Sequence, residues 1–239
     1  MKQFMKPPRV VFFDFGDTLV ETIPLYVERL RMSFEAEGIG ATYEEMEQAF
    51  IEADWRSAKA LLGRKPFPGD AWRELYMAVI MEKLRIKDDV RELLQRVADR
   101  MGTIRPKRKL VEGAKEFVEL CRRRGVRMAV LSNNDGRTAQ KAAEVGIADY
   151  FELFLDSTIE GILKPDPEFF RRAIDRMKIS PAECLHVGDL LGCDVMGAQA
   201  ANLPAAWLQR RKYRPTSTAV EPELTVEGFD QLARLIGVD

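Results

Sequence analysis

The fold turns on VVFFDFGDTLV, residues Val10 to Val20. The run Val10–Phe13 is continuously apolar, the pattern of a strand buried on both faces of a parallel sheet. It ends on a carboxylate, Asp14, and a second acid, Asp17, follows with a glycine, Gly16, between them. Functional groups in parallel α/β sheets gather at the carboxyl ends of the strands, so an acid delivered there is a candidate for chemistry.

Five segments share this apolar, breaker-bounded character: Arg9–Asp14, Val126–Leu131, Phe151–Asp156, Glu183–Val187 and Pro204–Leu208. Helical patterns fill the later gaps. LVEGAKEFVELCRRRG places Leu110, Ala114, Phe117, Val118 and Cys121 on one face and stops at Gly125. TAQKAAEVGI, PEFFRRAIDRMKI and DVMGAQAANL continue the alternation, which implies a parallel sheet with helices on both faces. The gap from residue 15 to residue 125 is far longer than one crossover helix needs. Four helical periodicities occupy it: Tyr26/Leu30/Phe34, Met46/Phe50/Ala53, Trp72/Tyr76/Val79 and Val90/Leu94/Val97/Met101. They predict a helical domain inserted after the first strand, its connections emerging beside Asp14. The basic clusters Arg105–Lys109 and Arg122–Arg124 read as solvated linkers and helix ends.

Composition removes several function classes. Charge is nearly balanced, 37 basic against 38 acidic residues, so nothing draws the chain to nucleic acid or a membrane surface. No apolar run reaches spanning length, and MKQFMKPPR lacks a signal-peptide core. The cysteines, Cys121, Cys184 and Cys193, are too scattered for a disulfide framework or a zinc site and read as reduced thiols of a cytoplasmic protein. The single histidine, His186, lies inside the apolar CLHVG and reads as a neutral strand residue satisfied by its neighbours. Neither the GxxxxGK[ST] phosphate loop nor the GxGxxG dinucleotide fingerprint occurs.

Carboxylates remain, and they converge. Ser132 and Asn133 follow the second predicted strand, and Asp189 follows the fourth through Gly188. Asp194 comes a little over one helical turn later, and Lys164 sits in the loop ILKPDP. Acids, a hydroxyl and a lysine at one sheet edge suit Mg²⁺ and phosphate, because hard oxygen ligands are what Mg²⁺ takes.

DFGDTL, LSNN, KPDP and GDLLGCD stand in the order of the four motifs of the haloacid dehalogenase-like (HAD) hydrolase superfamily, which the chain resembles over its whole length. The resemblance implies a Rossmann-like α/β core, residues 1–19 and 102–239, and a helical cap, residues 20–101. It implies Asp14 as nucleophile, forming an aspartyl-phosphate. It implies Mg²⁺ on Asp14, Asp189 and the carbonyl of Gly16, with Asp194 orienting a metal-bound water or holding Lys164. Ser132 would bind the transferring phosphoryl group and Lys164 would balance its charge. Thr18, matching the motif threonine that buttresses the loop, is expected near the substrate with Asn133, and with Arg64 and Lys65 of GRKPFPGDAW.

Phosphatases of this family place a second aspartate two residues after the nucleophile as general acid, and here that residue is Gly16. A positioned acid contributes about 10²–10⁴-fold. The sequence therefore points to an Mg²⁺-dependent phosphomonoester hydrolase for a small phosphorylated metabolite, its usual acid replaced by Gly16. The alternatives are a 2-haloacid dehalogenase, whose halide leaves without a proton, a weakened binding or regulatory protein, and phosphonate cleavage through a Schiff base on Lys59 or Lys65. Asp17 reads as a turn former, and the stretch QRRKYRP after the last strand as solvent-exposed.

Overall fold

The computed structural model describes residues 7–64, 69–215 and 220–239. Its centre is a six-stranded parallel sheet in the order β5-β4-β1-β6-β7-β8. The strands are β1 (Val10–Phe13), β4 (Arg127–Ser132), β5 (Leu153–Asp156), β6 (Cys184–Gly188), β7 (Ala205–Leu208) and β8 (Leu224–Val226). β1 lies between β4 and β6, Val10 pairing with both Arg127 and Cys184. That central place explains its unbroken hydrophobicity. Val11 and Phe13 enter the core under α5 (Ala114–Arg123) and α10 (Phe229–Ile236), while Val10 and Phe12 enter the core under α8 (Pro167–Met177). Each of these fully buried side chains contributes about 1.5–3 kcal/mol. The smaller helices α6 (Thr138–Glu144), α7 (Ser157–Glu160) and α9 (Gly197–Ala200) complete the layers.

Between β1 and β4 the chain leaves the sheet. It forms β2 (Val20–Ile23), then α1 (Tyr26–Glu35), α2 (Tyr43–Leu61), α3 (Gly69–Lys83) and α4 (Val90–Thr103), and returns through β3 (Lys107–Leu110). β2 and β3 pair antiparallel, Val20 opposite Leu110, as the two-stranded neck of an inserted α-helical cap. The cap has its own apolar core, built on Leu30, Phe34, Met46, Phe50, Ile80 and Leu93. Its helices start where their caps dictate. Thr42 and Glu45 form a reciprocal capping box at α2, and Asp89 accepts the Arg91 and Glu92 amides at α4.

The sheet has six strands where the sequence suggested five, and the neck was not foreseen. Lys107–Leu110, expected as solvated linker, is β3: its alternating exposed lysines hide a two-stranded ladder with one wet face. β8 is a three-residue edge strand, too short to show a period.

Candidate active site at the carboxyl edge of the sheet

Asp14 stands one residue beyond β1, its amide still bonded to the Val187 carbonyl at 2.9 Å, so the ladder itself holds the carboxylate. Lys164 reaches it from the β5–α8 connection. The ammonium is 2% exposed and donates to Asp14 Oδ1 and to Asp194 Oδ1, both at 2.6 Å. Its backbone is pinned by Asn133, which accepts from the Lys164 amide at 2.8 Å and donates to the Lys164 carbonyl at 2.9 Å. Burial opposes the lysine's charge, but Asp14 and Asp194 outweigh it and hold the ammonium protonated. Burial pushes Asp14 up to about 6 against the pull of Lys164.

Asp194 lies in a π-helical turn, Leu191–Met196, that leads into α9. Its Oδ1 also contacts His186 Nε2 at 3.1 Å, and its Oδ2 accepts the Leu190 amide at 3.1 Å. Although burial alone would raise it, Lys164 and His186 keep the Asp194 carboxyl well below the usual range. His186 is fully buried on β6 and its pKa is lowered by that burial, so it is neutral as expected. It is only half satisfied, since Nδ1 has no partner among the described residues. Gly188 is required here: a Cβ would fall 2.2 Å from Asp194 Cγ.

Asp189 follows β6 directly. Trp207 Nε1 donates to its carbonyl at 2.9 Å and Thr18 Oγ1 approaches its Oδ1 at 3.5 Å. Arg211 donates to its Oδ2 from Nη2 at 2.9 Å and to Asp17 Oδ2 at 2.6 Å. Burial drives the Asp189 pKa up, and Arg211 opposes the shift. Arg211 belongs to QRRKYRP, the stretch read as exposed. The signal that could have placed it is its position just after β7, at the same carboxyl edge as the acids. It also lies 5.0 Å from the centre of the Phe50 ring of α2, touching core and cap together. Asp17 adopts a left-handed turn, φ 57°, as its turn assignment requires.

The remaining expectations divide. Ser132, buried at the end of β4, and Asn133 line a cleft of about 980 Å³ between sheet edge and cap. Thr18 does not line it. It is fully buried, and its hydroxyl faces Asp189 instead of a substrate. Arg64 is exposed past the end of α2, outside the cleft lining, because the helix closes at Leu61 and the chain turns away. Lys65 lies outside the described residues. Lys59 is exposed on α2 and offers no desolvated amine for a Schiff base.

One expectation is overturned. The sequence suggested a phosphomonoester-cleaving site short of an acid at Gly16. The structure holds a carboxylate triad instead: oxygens of Asp14, Asp189 and Asp194, all three residues buried, lie within 4.8 Å of one another. The acids come from two separate segments, Asp14 after β1 and Asp189 with Asp194 after β6, so a single position beside Asp14 does not describe the set. Residue 16 is a glycine, but its substitution does not define the site, and the reading of a site short of its acid is withdrawn. Gly16 lines the cleft, bridges to Val20, and a Cβ there would meet nothing within 4 Å.

Asp54 of α2 was missed altogether. It is 1% exposed and accepts the amides of Gly192 at 2.6 Å and Cys193 at 2.9 Å, fastening the cap to the turn that carries Asp194. Burial raises its pKa to about 6.

A family model described as haloacid dehalogenase-like hydrolase matches residues 8–202. The chain belongs to this family. It is a HAD-like hydrolase. A phosphoserine phosphatase of Thermus thermophilus is 31% identical over 91% of this chain and 95% of its own length. The mouse haloacid dehalogenase-like hydrolase domain-containing protein 3 is 29% identical over 82% of this chain and 79% of its own. The magnesium-bound crystal structure of the HAD-hydrolase YfnB from Bacillus subtilis superposes with a TM-score of 0.67 at 21% identity, covering 97% of this chain and 99% of that one. Among the described residues no helix is long and apolar enough to cross a membrane.

Proposed function

We propose that this HAD-like hydrolase is a magnesium-dependent phosphatase for small phosphorylated metabolites, with Asp14 as the attacking carboxylate. The observation that carries the reading is Lys164 bridging Asp14 and Asp194 inside a buried three-carboxylate cluster. A buried lysine between two acids keeps the nucleophile ionised and in place, and supplies positive charge where a phosphoryl group would gather negative charge. The Ser132 hydroxyl and the backbone N–H of Asn133, which line the cleft at the end of the adjacent strand, would donate to phosphoryl oxygens. Asp194 orients Lys164.

The donor set fits Mg²⁺: oxygens only, from Asp14 and Asp189, with the Gly16 carbonyl beside them on the cleft and Asp194 in the same cluster. A bound Mg²⁺ would supply charge against the phosphoryl oxygens. The phosphoserine phosphatase activity of the Thermus relative and the magnesium in the Bacillus structure support both parts of the reading. Residues 20–101 serve as the cap that covers the site and excludes water. Three free, buried cysteines accord with a cytoplasmic setting.

The test is phosphate release from a panel of alkyl and aryl phosphates with Mg²⁺ and with chelator. Metal-dependent release, lost in Asp14→Asn, is expected. Release that survives chelation, or persists in Asp14→Asn, would refute the assignment.

A further inference from the structure

Among the described residues the charged groups lining the cleft are bonded, with one exception on the cap. Lys164 and Arg211 are bonded to the acids of the site. Arg73 pairs with Asp70, Arg108 with Glu144, and Arg137 and Lys141 with Asp135. Arg105, exposed at the rim, rests on the Gly102 and Ile104 carbonyls. Arg29 of α1 is different. It is half-buried, lines the cleft, and its side chain makes no hydrogen bond or ion pair to any described residue. Its guanidinium lies 5.4 Å from the centre of the Tyr26 ring, a contact that leaves the N–H edge free. Burial lowers its pKa, Tyr26 and Asp17 oppose the shift, and Arg108 adds to it.

Two further cleft-lining groups are buried without a partner among the described residues, Thr22 Oγ1 on β2 and Trp72 Nε1 on α3. Buried polar groups in folded proteins are almost always satisfied, so three orphans on the walls of one cavity require an explanation. Beside them runs a chain of aromatic rings that also line the cleft. Tyr26 lies 5.5 Å from Phe50, Phe50 lies 5.9 Å from Tyr76, and Tyr76 lies 5.1 Å from Trp72.

We infer that Arg29 is a specificity-determining residue that binds a second anionic group, carried on the leaving-group side of the substrate, while the aromatic chain holds the carbon skeleton between the two anions. The inference rests on the phosphatase reading and narrows it to phosphate esters that also bear a carboxylate or equivalent anion. A guanidinium free of internal partners presents two parallel N–H donors to such a group. The Trp72 N–H and the Thr22 hydroxyl are left for its remaining oxygens or for polar substituents of the skeleton.

The experiment measures affinity by calorimetry with Mg²⁺ at pH 7.5, comparing phenyl phosphate with 3- and 4-carboxyphenyl phosphate. The protein is the full chain carrying Asp14→Asn, so that turnover does not intrude. A charged hydrogen-bonded pair is worth about 10–100-fold in affinity, so at least one carboxylated ester binds tighter by about that factor. In Asp14→Asn/Arg29→Met the ratio collapses to near one, and in Asp14→Asn/Arg29→Lys, which keeps the charge, a preference persists. Equal affinities in the Asp14→Asn protein, or an undiminished ratio with Arg29→Met, would overturn the inference. Absence of phosphate release by the protein with Asp14 intact would instead refute the phosphatase reading, because the affinity ratio is read without turnover.

Discussion

The floor of the cleft and its cap wall are built on opposite principles. On the floor nearly every charge is answered: Lys164 lies between Asp14 and Asp194, Arg211 between Asp17 and Asp189, and both carboxylate oxygens of Asp194 are bonded. On the wall Arg29, Thr22 and Trp72 leave donors unmet. A paired network in low dielectric holds its geometry through a reaction, which is what attack at phosphorus needs. An unpaired wall gains its partners only when substrate arrives. On the proposed reading, chemistry belongs to the core and recognition to the cap.

The difference can be broken by substitution. The largest effect is expected at Asp14: Asp14→Asn lowers Mg²⁺-dependent phosphate release by at least about 10⁴-fold, as loss of a nucleophile does. Lys164→Met comes next, stranding two buried carboxylates. It costs about 3–5 kcal/mol in urea unfolding without metal, and Mg²⁺ recovers part of the loss by answering the same acids. Gly192→Ala follows, because its Cβ would sit 2.4 Å from the Asp54 carbonyl oxygen. Overpacking of this kind costs about 1–3 kcal/mol, and here it also loosens the cap, read as faster proteolysis across α2.

Two tryptophans sharpen the contrast. Trp207→Phe removes the N–H that serves the Asp189 carbonyl, whereas Trp72→Phe removes an N–H that serves none of the described residues. Denaturant melts should show Trp207→Phe costing about 1 kcal/mol more. The smallest effect is Arg29→Met, which breaks no internal bond and is expected to shift unfolding by less than about 0.5 kcal/mol. A loss comparable to that of Lys164→Met would erase the distinction between wall and floor.

The floor was legible in the sequence because its residues follow strands of a kind composition reveals. Val10–Phe13 is buried on both faces and so is apolar throughout, and Asp14 is what comes next. Ser132 and Asp189 were found by the same logic, and Lys164 by its place in the loop ILKPDP. Residues whose role depends on tertiary contact were not. Asp54 lies in an amphipathic helix, where an acid reads as facing water, and only the packing of α2 on Gly192 and Cys193 shows it to be buried. Arg211 sits in a basic run that looks solvated until β7 is seen to point it at Asp189. β2 carries Glu21 and Thr22, and β3 carries Lys107, Arg108 and Lys109, and their ladder lies outside the main sheet, so neither shows its apolar signature. Gly16 teaches the complementary lesson: one position in one motif says little when the acids of the site come from two segments far apart in sequence.

The most direct test of this account is a crystal structure grown with Mn²⁺ in place of Mg²⁺ and with orthovanadate. The account predicts an anomalous Mn²⁺ peak contacting Asp14 and Asp189, and vanadium over the free oxygen of Asp14 within reach of Lys164. A metal peak away from the carboxylate triad, or vanadate bound elsewhere in the cleft, would contradict it.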